Sequence, residues 1–376
     1  MKTTTIITLL CFATLSWGQQ SEDHDLRVNT LSGYEYNYLK SPDEVLFEGN
    51  IIGRDSLINS SVYQDIDLRY SFKKDWEYSK FRLSASPEAR FFYEQPEDSY
   101  WRFTLNLDYQ LKISKRMNYL ASASFKRNDR EGLNGAQDIL INPLGYTQYQ
   151  VQTGINYRPF KYHRLELLGG FRHKNFDQFG VRDLEYNQFE VVLHSYQRFK
   201  VGRRFQKFGV EMAARKRLYQ TLNSTNDIPN GERDWDYLDA TAYAELRFSE
   251  SFRLTPAFNY YQRIDQLIDR SGFTQFGPRL DLRYSTSRLY LSVSSAFNTR
   301  NYKSFEARGP GGPLGEKIKY EYVNFRFTGS WQINPNLYLR AEVYSRVRST
   351  NYTDISARSF RNYRNQYAGL GLQWRL

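Results

Sequence analysis

Arginine and lysine recur at every second position in several segments of this chain, a spacing that could bind or guide anions. In RLDLR (279–283), Arg279, Asp281 and Arg283 share one face if the chain is extended, because strand side chains alternate between two faces. Rings of such cations favour the passage of anions. The structural alternative is that each cation pairs with a carboxylate on its own strand or on a neighbouring one. Both interpretations need an element that holds the charges on one face.

Nine segments with clear alternation carry twice as many basic as acidic side chains on their polar face. The fourteen basic residues are Arg69, Lys80, Arg82, Arg102, Lys112, Arg164, Arg172, Arg247, Arg279, Arg283, Arg326, Arg340, Arg346 and Arg375. The seven acidic residues are Asp67, Asp108, Glu166, Asp239, Glu245, Asp281 and Glu342. The residues we select as a candidate selective lining are Arg69, Arg82, Arg102, Lys112, Arg247, Arg279, Arg283, Arg326 and Arg340.

Residue patterns for metal binding or catalysis are weak. The four histidines, His24, His163, His173 and His194, lack the spacing of a metal site, and the sequence assigns no serine or carboxylate partner to His163 or His194. The glycine-rich segment 306–316 lacks the spacing of a phosphate-binding loop and is expected to be an outside loop. We therefore expect no metal, no cofactor and no enzymatic activity.

The element that carries these charges is the β-strand. YWRFTLNLDYQLKI (100–113) alternates seven apolar with six polar side chains, which excludes a helical period. The same alternation recurs in 238–248, 276–284, 323–331 and 337–346. Strands of this length are long enough to cross a membrane at a tilt. The chain is therefore expected to be all-β.

The connections between the strands alternate between short and long. Seven short turns are expected near 73–78, 114–117, 158–162, 199–204, 249–251, 285–288 and 334–336. Eight longer connections are expected at 40–61, 95–99, 127–145, 174–182, 219–237, 264–272, 301–317 and 349–360. Fifteen connections imply sixteen strands, which fits a closed antiparallel barrel with an even strand number. The first strand, expected at 31–39, would pair with the last.

The N-terminus has the pattern of an exported protein. Residues 1–18 combine Lys2, an apolar core and small residues near the end, which predicts a cleaved secretory signal peptide. Residues 19–30 are expected to be a short periplasmic segment, and 31–376 the barrel. Cys11, the only cysteine, would be removed with the signal, so no disulfide is expected. No later apolar run approaches the roughly 18 residues of a transmembrane helix.

The composition also fits surfaces that are apolar on one side and wet on the other. Aromatic residues make up 17% of the chain and charged residues 25%, while the mean hydropathy is −0.70. The net charge of +11 could attract nucleic acid or anionic lipid. For an exported chain we expect no nucleic-acid partner.

With the signal peptide, the amphipathic strands and a last strand that reaches the C-terminus, the chain resembles outer-membrane β-barrel proteins of Gram-negative bacteria. The resemblance covers essentially the whole mature chain, 19–376. It implies an up-and-down transmembrane barrel of about 16 strands, within a range of 14 to 18, with short periplasmic turns and longer extracellular loops. Gln19 and the abundant tyrosine and asparagine resemble proteins of the Bacteroidota.

The resemblance also implies a role for the last strand. In this class it is recognised by the barrel-insertion machinery, and here its outward residues would be Ala368, Leu370, Leu372, Trp374 and Leu376. The expected partners are outer-membrane lipid, that machinery, and a second copy or other outer-membrane proteins.

The function expected from the sequence is a porin-like channel for small polar solutes, with a preference for anions. The alternatives are an export conduit for a surface polysaccharide, and a non-conducting barrel within a larger outer-membrane complex. The dozen residues expected between the signal peptide and the first strand leave no room for a plug domain. This argues against a transporter that needs such a plug.

Overall fold

The structure is a computed structural model. It describes residues 22–133, 142–180, 183–221, 233–266, 272–356 and 362–376. The predicted signal peptide, residues 1–18, lies outside the described residues, as do parts of the expected connections 127–145, 219–237, 264–272 and 349–360.

Sixteen strands form one closed antiparallel barrel, which confirms the predicted fold class and strand number. Each strand pairs with its neighbour in the chain, and the first strand pairs with the last. The barrel strands are β1 (Glu22–Tyr36), β4 (Ser61–Asp75), β5 (Ser79–Phe92), β6 (Tyr100–Lys112), β7 (Met117–Asp129), β8 (Tyr146–Tyr157), β9 (His163–Phe176), β10 (Glu185–Val201), β11 (Arg204–Thr221), β12 (Arg233–Arg247), β13 (Phe252–Asp265), β14 (Phe273–Ser285), β15 (Leu289–Gly309), β16 (Gly312–Asn334), β17 (Leu337–Thr350) and β18 (Tyr363–Arg375).

The connection between β1 and β4 carries a small hairpin of β2 (Glu44–Phe47) and β3 (Asn50–Gly53) and one helical turn, α1 (Arg54–Leu57). A 3₁₀ turn, Pro96–Asp98, precedes β6. In the part of the chain that the structure describes, no helix is long and apolar enough to cross a membrane.

The pairing register separates an apolar outer face from a polar inner face. On the outer face large apolar side chains stay exposed, including Leu370 (63%), Trp331 (55%) and Phe258 (51%). On the inner face polar and aromatic side chains are buried, such as Gln188 and Tyr63. Lipid favours apolar side chains on the outer face of a membrane barrel. Closure of the sheet pairs the backbone groups of its strands with one another, as lipid also requires.

The first strand starts earlier than the sequence indicated. β1 begins at Glu22 rather than at residue 31, so most of the segment expected to precede the barrel belongs to the first strand. Its pairing with β4 extends back to Glu22 opposite Lys74, although 22–30 shows little apolar alternation. The strand ends at Tyr36, and Tyr38 leaves the sheet to stack on Phe92 at a centroid distance of 4.3 Å.

The barrel closes between β1 and β18. All five outward residues predicted for the last strand lie on the outer side of this seam, with Ala368 opposite Tyr34 and Trp374 opposite Val28. The two residues after Trp374 are also paired with β1. Leu376 exchanges backbone hydrogen bonds with Leu26 at 2.8 and 3.2 Å, and Arg375 Nε donates to Asp25 Oδ1 at 2.8 Å.

Glycine on the inner side of the seam makes room for an aromatic ring. A side chain on Gly369 would meet Tyr63 Oη at 2.6 Å and the backbone of Ser32 at 3.0 Å. Tyr63 is fully buried against this position. In the last strand, glycine therefore makes room for the Tyr63 ring on the inner face, while the large residues that alternate with it cover the outer face.

The expected long connection at 301–317 is mostly strand. β15 continues to Gly309 and β16 resumes at Gly312, with Glu306 opposite Lys317 and Arg308 opposite Pro313. The glycine-rich segment forms the tight turn, where Gly312 has a φ of 119° that favours glycine. The connection is therefore a β-hairpin rather than the expected irregular loop, and it extends the barrel wall beyond the other strands.

Candidate functional site

The register places all nine predicted lining residues on the inner face. Arg69, Arg82, Arg102, Lys112, Arg247, Arg279, Arg283, Arg326 and Arg340 each lie opposite another inward residue on a neighbouring strand. They do not form one site, because they are spread around the wall and along its height.

Four of the nine form ion pairs. Arg247, Arg279 and Arg340 each pair with the carboxylate two residues away on the same strand, at 2.9, 3.1 and 2.5 Å, and Arg102 pairs across the sheet with Glu88. Residues i and i+2 share a face, so such pairs form within one strand. Among the described residues, no carboxylate pairs with the other five, which are Arg69, Arg82, Lys112, Arg283 and Arg326.

A cluster of arginines lies on one side of the lumen, at the end where the short turns lie. A cavity of about 610 Å³ there is lined by the turns that join β10 to β11, β12 to β13 and β14 to β15. We call its six arginines the turn-end mouth: Arg198, Arg203, Arg204, Arg247, Arg253 and Arg283. The acidic residue that lines this cavity is Glu250.

Most of the arginines of the turn-end mouth form no ion pair with the described residues. Arg247 and Arg253 share Glu245, at 2.9 and 3.5 Å. For Arg198, Arg203, Arg204 and Arg283 the described part of the chain provides no ion-pair partner, and all four are exposed. Arg198 and Arg283 lie on the inner face, Arg203 lies in the turn, and Arg204 lies opposite Val201 on the outer face, at the rim of the cavity. All four charges act on ions in the water at the mouth.

The opposite wall of the lumen has balanced charges. A cavity of about 240 Å³ between β17, β18, β1, β4, β5 and β6 is lined by Asp65, Asp67, Glu88, Glu342, Arg90, Arg102 and Arg340. Arg90 forms ion pairs there with both Asp65 and Glu35. The turn-end mouth thus has an excess of cations that this cavity lacks.

At the end where the long loops lie, cations are held between aromatic rings. We call these seven cations and their rings the loop-end belt. Each cation lies over two rings, with the nearer distances between 3.5 and 4.8 Å. The cations and their rings are Arg90 on Tyr63 and Tyr367, Arg130 on Tyr38 and Tyr100, Lys174 on Tyr146 and Phe176, Arg217 on Tyr186 and Tyr237, Arg263 on Trp235 and Phe273, Arg300 on Phe273 and Tyr322, and Arg348 on Tyr320 and Tyr363.

The belt alternates strand by strand around the barrel. Cations lie near the C-terminal ends of the odd-numbered strands from β5 to β17, with Arg130 just after β7 and Arg300 in the middle of the long strand β15. Most of the aromatic rings lie near the N-terminal ends of the even-numbered strands, except in the long strand β16, where Tyr320 and Tyr322 lie further along. β1 interrupts the pattern with Glu35, which pairs with Arg90. Because cations are attracted to ring faces, the four cations on β11, β13, β15 and β17 each link their strand to both neighbouring strands.

The sequence carried a signal for this belt that our prediction did not use. Most strands that lead into a long loop end on a basic residue within a few positions, as in RKRLY (215–219) and YQRID (261–265). The strand after the loop begins with an aromatic residue, as in DWDYL (234–238). The members are therefore far apart in the chain and become neighbours only through the strand register.

Two histidines have partners that the sequence did not reveal. His163 Nε2 lies 3.4 Å from Ser195 Oγ, and His194 Nδ1 lies 3.5 Å from Glu166 Oε1. The register places the first pair on the outer face and the second in the lumen, so the two do not combine into a catalytic triad. Within the described residues, no three His, Cys, Asp or Glu side chains are grouped so that they could hold a metal ion.

Comparison with known proteins gives structural neighbours only. No protein-family model matches this chain, and no curated protein matches its sequence. The outer membrane protein OpdK from Pseudomonas aeruginosa is 12% identical, with a TM-score of 0.47 over 94% of this chain and 98% of its own. The FrpB iron transporter from Neisseria meningitidis is 9% identical, with a TM-score of 0.48 over 95% and 82%. The siderophore receptor PirA from Pseudomonas aeruginosa is 8% identical, with a TM-score of 0.43 over 96% and 81%.

The chain is a 16-stranded barrel that resembles outer-membrane proteins of Gram-negative bacteria. Its closed sheet and its apolar outer face are those of a barrel in lipid. The comparisons do not support the expected origin in the Bacteroidota.

Proposed function

We propose that this protein is an outer-membrane channel that passes small polar solutes by diffusion and prefers anions. The turn-end mouth carries this proposal. Six arginines and one glutamate line one water-filled cavity, and four of the arginines have no ion-pair partner among the described residues. In a lumen with low-dielectric walls, such an excess raises the local concentration of anions and lowers that of cations.

The unequal charge distribution supports a selective path along one wall. On the β17 to β6 side, acidic and basic groups alternate and largely neutralise each other. On the β10 to β15 side, arginines exceed carboxylates at the mouth. An anion that passes through the lumen would therefore be drawn toward the second wall.

The same observations lead us to propose a protein without enzymatic activity. The serine–histidine pair and the histidine–glutamate pair lie on opposite faces of the sheet. Other carboxylates of the lumen are held in ion pairs, either along one strand, as Asp281 is with Arg279, or across two strands, as Glu88 is with Arg102.

Planar bilayers test the proposal directly. The purified barrel should conduct, and a KCl gradient should give a reversal potential with the sign of a chloride preference. Replacing Arg198, Arg204 and Arg283 together with glutamine should reduce that preference severalfold, because three unpaired charges leave the mouth. The matched control replaces Lys115, Arg116 and Lys161 with glutamine. These exposed cations lie on other short turns and do not line the cavity, so the preference should not change.

Two outcomes would contradict the proposal. A cation preference in the unaltered protein would show that the mouth does not set selectivity. The absence of any conductance would instead favour the non-conducting barrel within a larger complex.

A further inference from the structure

A second cationic cavity lies at the loop end of the lumen, far from the turn-end mouth. It occupies about 350 Å³ between β6, β8, β9 and the connections that follow β1 and β7. Four cations line it: Lys40, Arg102, Arg130 and Lys174. The described residues that line it include no carboxylate. A cavity of this size takes a small organic molecule rather than a single ion.

Arg130 provides an unsatisfied donor at this cavity. Its Nε and Nη2 atoms are buried and have no hydrogen-bond partner among the described residues. Its guanidinium is stacked 4.5 Å from the Tyr100 ring, which fixes the plane in which the free N–H groups point. A buried guanidinium without an acceptor is costly, and a bound oxyanion would remove that cost.

Lys40 is held at the cavity by a rigid turn. Asn37 and Lys40 both have left-handed backbone conformations, with φ values of 53° and 59°. The Asn37 side chain closes the turn with two hydrogen bonds to the Ser41 backbone, both of 2.8 Å, and Lys40 N donates to Asn37 O at 3.0 Å. Asn365 Nδ2 on β18 donates to Asn37 O at 3.2 Å. Such strained residues persist where the surrounding structure fixes them.

The charges near Lys40 are mostly of the same sign. Burial, together with the nearby Arg346, Arg130 and Arg348, lowers the pKa of Lys40 to about 8, while Glu35 opposes this shift. An anion in the cavity would relieve this repulsion and favour the charged amine.

The remaining lining suits a ring with hydroxyl groups. Tyr100, Tyr146 and Phe176 present aromatic faces, and Lys174 Nζ lies 3.5 Å from the centre of the Tyr146 ring. Asn142 Oδ1 is buried without a hydrogen-bond donor among the described residues and could accept from a hydroxyl. Aromatic faces, a free acceptor and clustered cations are the groups that a phosphorylated or sulfated sugar would contact.

We propose that this cavity binds a phosphate or sulfate ester of a sugar, with Arg130 and Lys40 on the oxyanion and the aromatic rings on the sugar. The inference rests on the proposed function only in that a solute must be able to enter the lumen. Binding can be measured without conduction.

Calorimetry on the full-length barrel in detergent tests the proposal with three probes. Glucose 6-phosphate should bind at least about tenfold more tightly than sulfate, and glucose should not bind measurably, since both the charge and the ring contribute. The variants Lys40→Gln and Arg130→Gln should each weaken glucose 6-phosphate binding by about tenfold. Arg116→Gln, an exposed cation at the turn end, should have no effect.

The outcomes separate this proposal from the channel. Unchanged binding in both Lys40→Gln and Arg130→Gln would overturn it, even if the barrel conducts anions. Equal affinity for sulfate and glucose 6-phosphate would overturn the role of the rings. Because Arg130→Gln could disturb folding, Arg130→Lys and Tyr146→Leu provide second variants. Each should weaken binding while the folded barrel keeps its resistance to unfolding in SDS.

Discussion

Arginine occupies two different environments at the two ends of this lumen. At the loop end, Arg217 lies between the rings of Tyr186 and Tyr237, at 4.3 and 4.7 Å, and donates to Gln188 Oε1 at 2.8 and 3.1 Å. At the turn end, Arg204 is exposed and no carboxylate among the described residues pairs with it. The residue type is the same, but its neighbours differ.

This difference shows that counting charges on the inner face does not identify the charges that act on solutes. A guanidinium that is enclosed by rings and amides holds strands together, because its charge interacts mainly with those neighbouring groups. An exposed and unpaired guanidinium acts on ions in the lumen. We therefore assign stability to the loop-end belt, except that Arg130 also keeps two free N–H groups for the second cavity, and we assign ion selectivity to the turn-end mouth.

Removing a belt arginine should have the largest effect on stability. Arg217→Ala should lower the free energy of unfolding by about 3 kcal/mol, because it deletes hydrogen bonds from a charged group and two ring contacts. Urea titration of the barrel refolded in lipid vesicles measures this. Arg204→Ala at the turn end is the control and should change stability by less than about 0.5 kcal/mol. If both variants lowered the free energy of unfolding by a similar amount, the belt arginines would not be more stabilising than those of the mouth.

Reversing one charge at the mouth should change selectivity without changing stability. Arg283→Glu should lower the ratio of chloride to potassium permeability severalfold, because it converts an unpaired cation into an anion at the cavity wall. Arg217→Lys retains the charge of the belt and should leave the ratio unchanged. A larger shift from the belt variant than from the mouth variant would contradict the assignment.

The pH dependence of anion binding should separate the loop-end cavity from the mouth. As the pH rises through about 8, Lys40 loses its charge, so sulfate, which stays ionised, should bind several times more weakly at pH 9.5 than at pH 6.5. The charged groups that surround or line this site are Arg102, Arg130, Lys174, Arg346, Arg348 and Glu35. Lys40→Gln should reduce the pH dependence, and Lys174, the other amine that lines the cavity, should account for the part that remains. A pH response that this variant retains in full would exclude Lys40 as its source.

An arginine that is both exposed and paired should have the smallest effect. Arg375 has a side chain that is 54% exposed and pairs with Asp25 at 2.8 Å. Arg375→Ala should lower stability by no more than about 0.5 kcal/mol, because exposed ion pairs contribute little. A loss as large as that for Arg217→Ala would show that enclosure by rings is not what makes the belt stabilising.

The sequence predicted the architecture because strand periodicity and turn spacing are local properties. Alternation in 100–113 and its counterparts defined both faces, and the outward residues of β18 follow directly. The start of β1 was missed because 22–30 has almost no apolar alternation and is held by pairing with β4. The strand continuation at 301–309 was missed because glycine and proline near its turn indicate a loop.

The candidate site was only partly predictable. The inward direction of residues such as Arg279 follows from the period of two, but whether each is paired depends on its neighbours in three dimensions. The loop-end belt depends entirely on register, since Arg217 meets Tyr186 on one strand and Tyr237 on the next. Lys40 enters the second cavity because of the turn at Asn37, which periodicity does not describe.

The central claim is that the unpaired arginines of the turn-end mouth make this barrel an anion-preferring channel. The most direct test is the reversal potential of the unaltered protein in a planar bilayer under a KCl gradient. We expect a reversal potential that shows chloride to be more permeant than potassium. The ratio of chloride to potassium permeability should fall clearly when Arg198, Arg204 and Arg283 are replaced with glutamine. A potential that shows potassium to be the more permeant ion, or one that the triple replacement leaves unchanged, would contradict it.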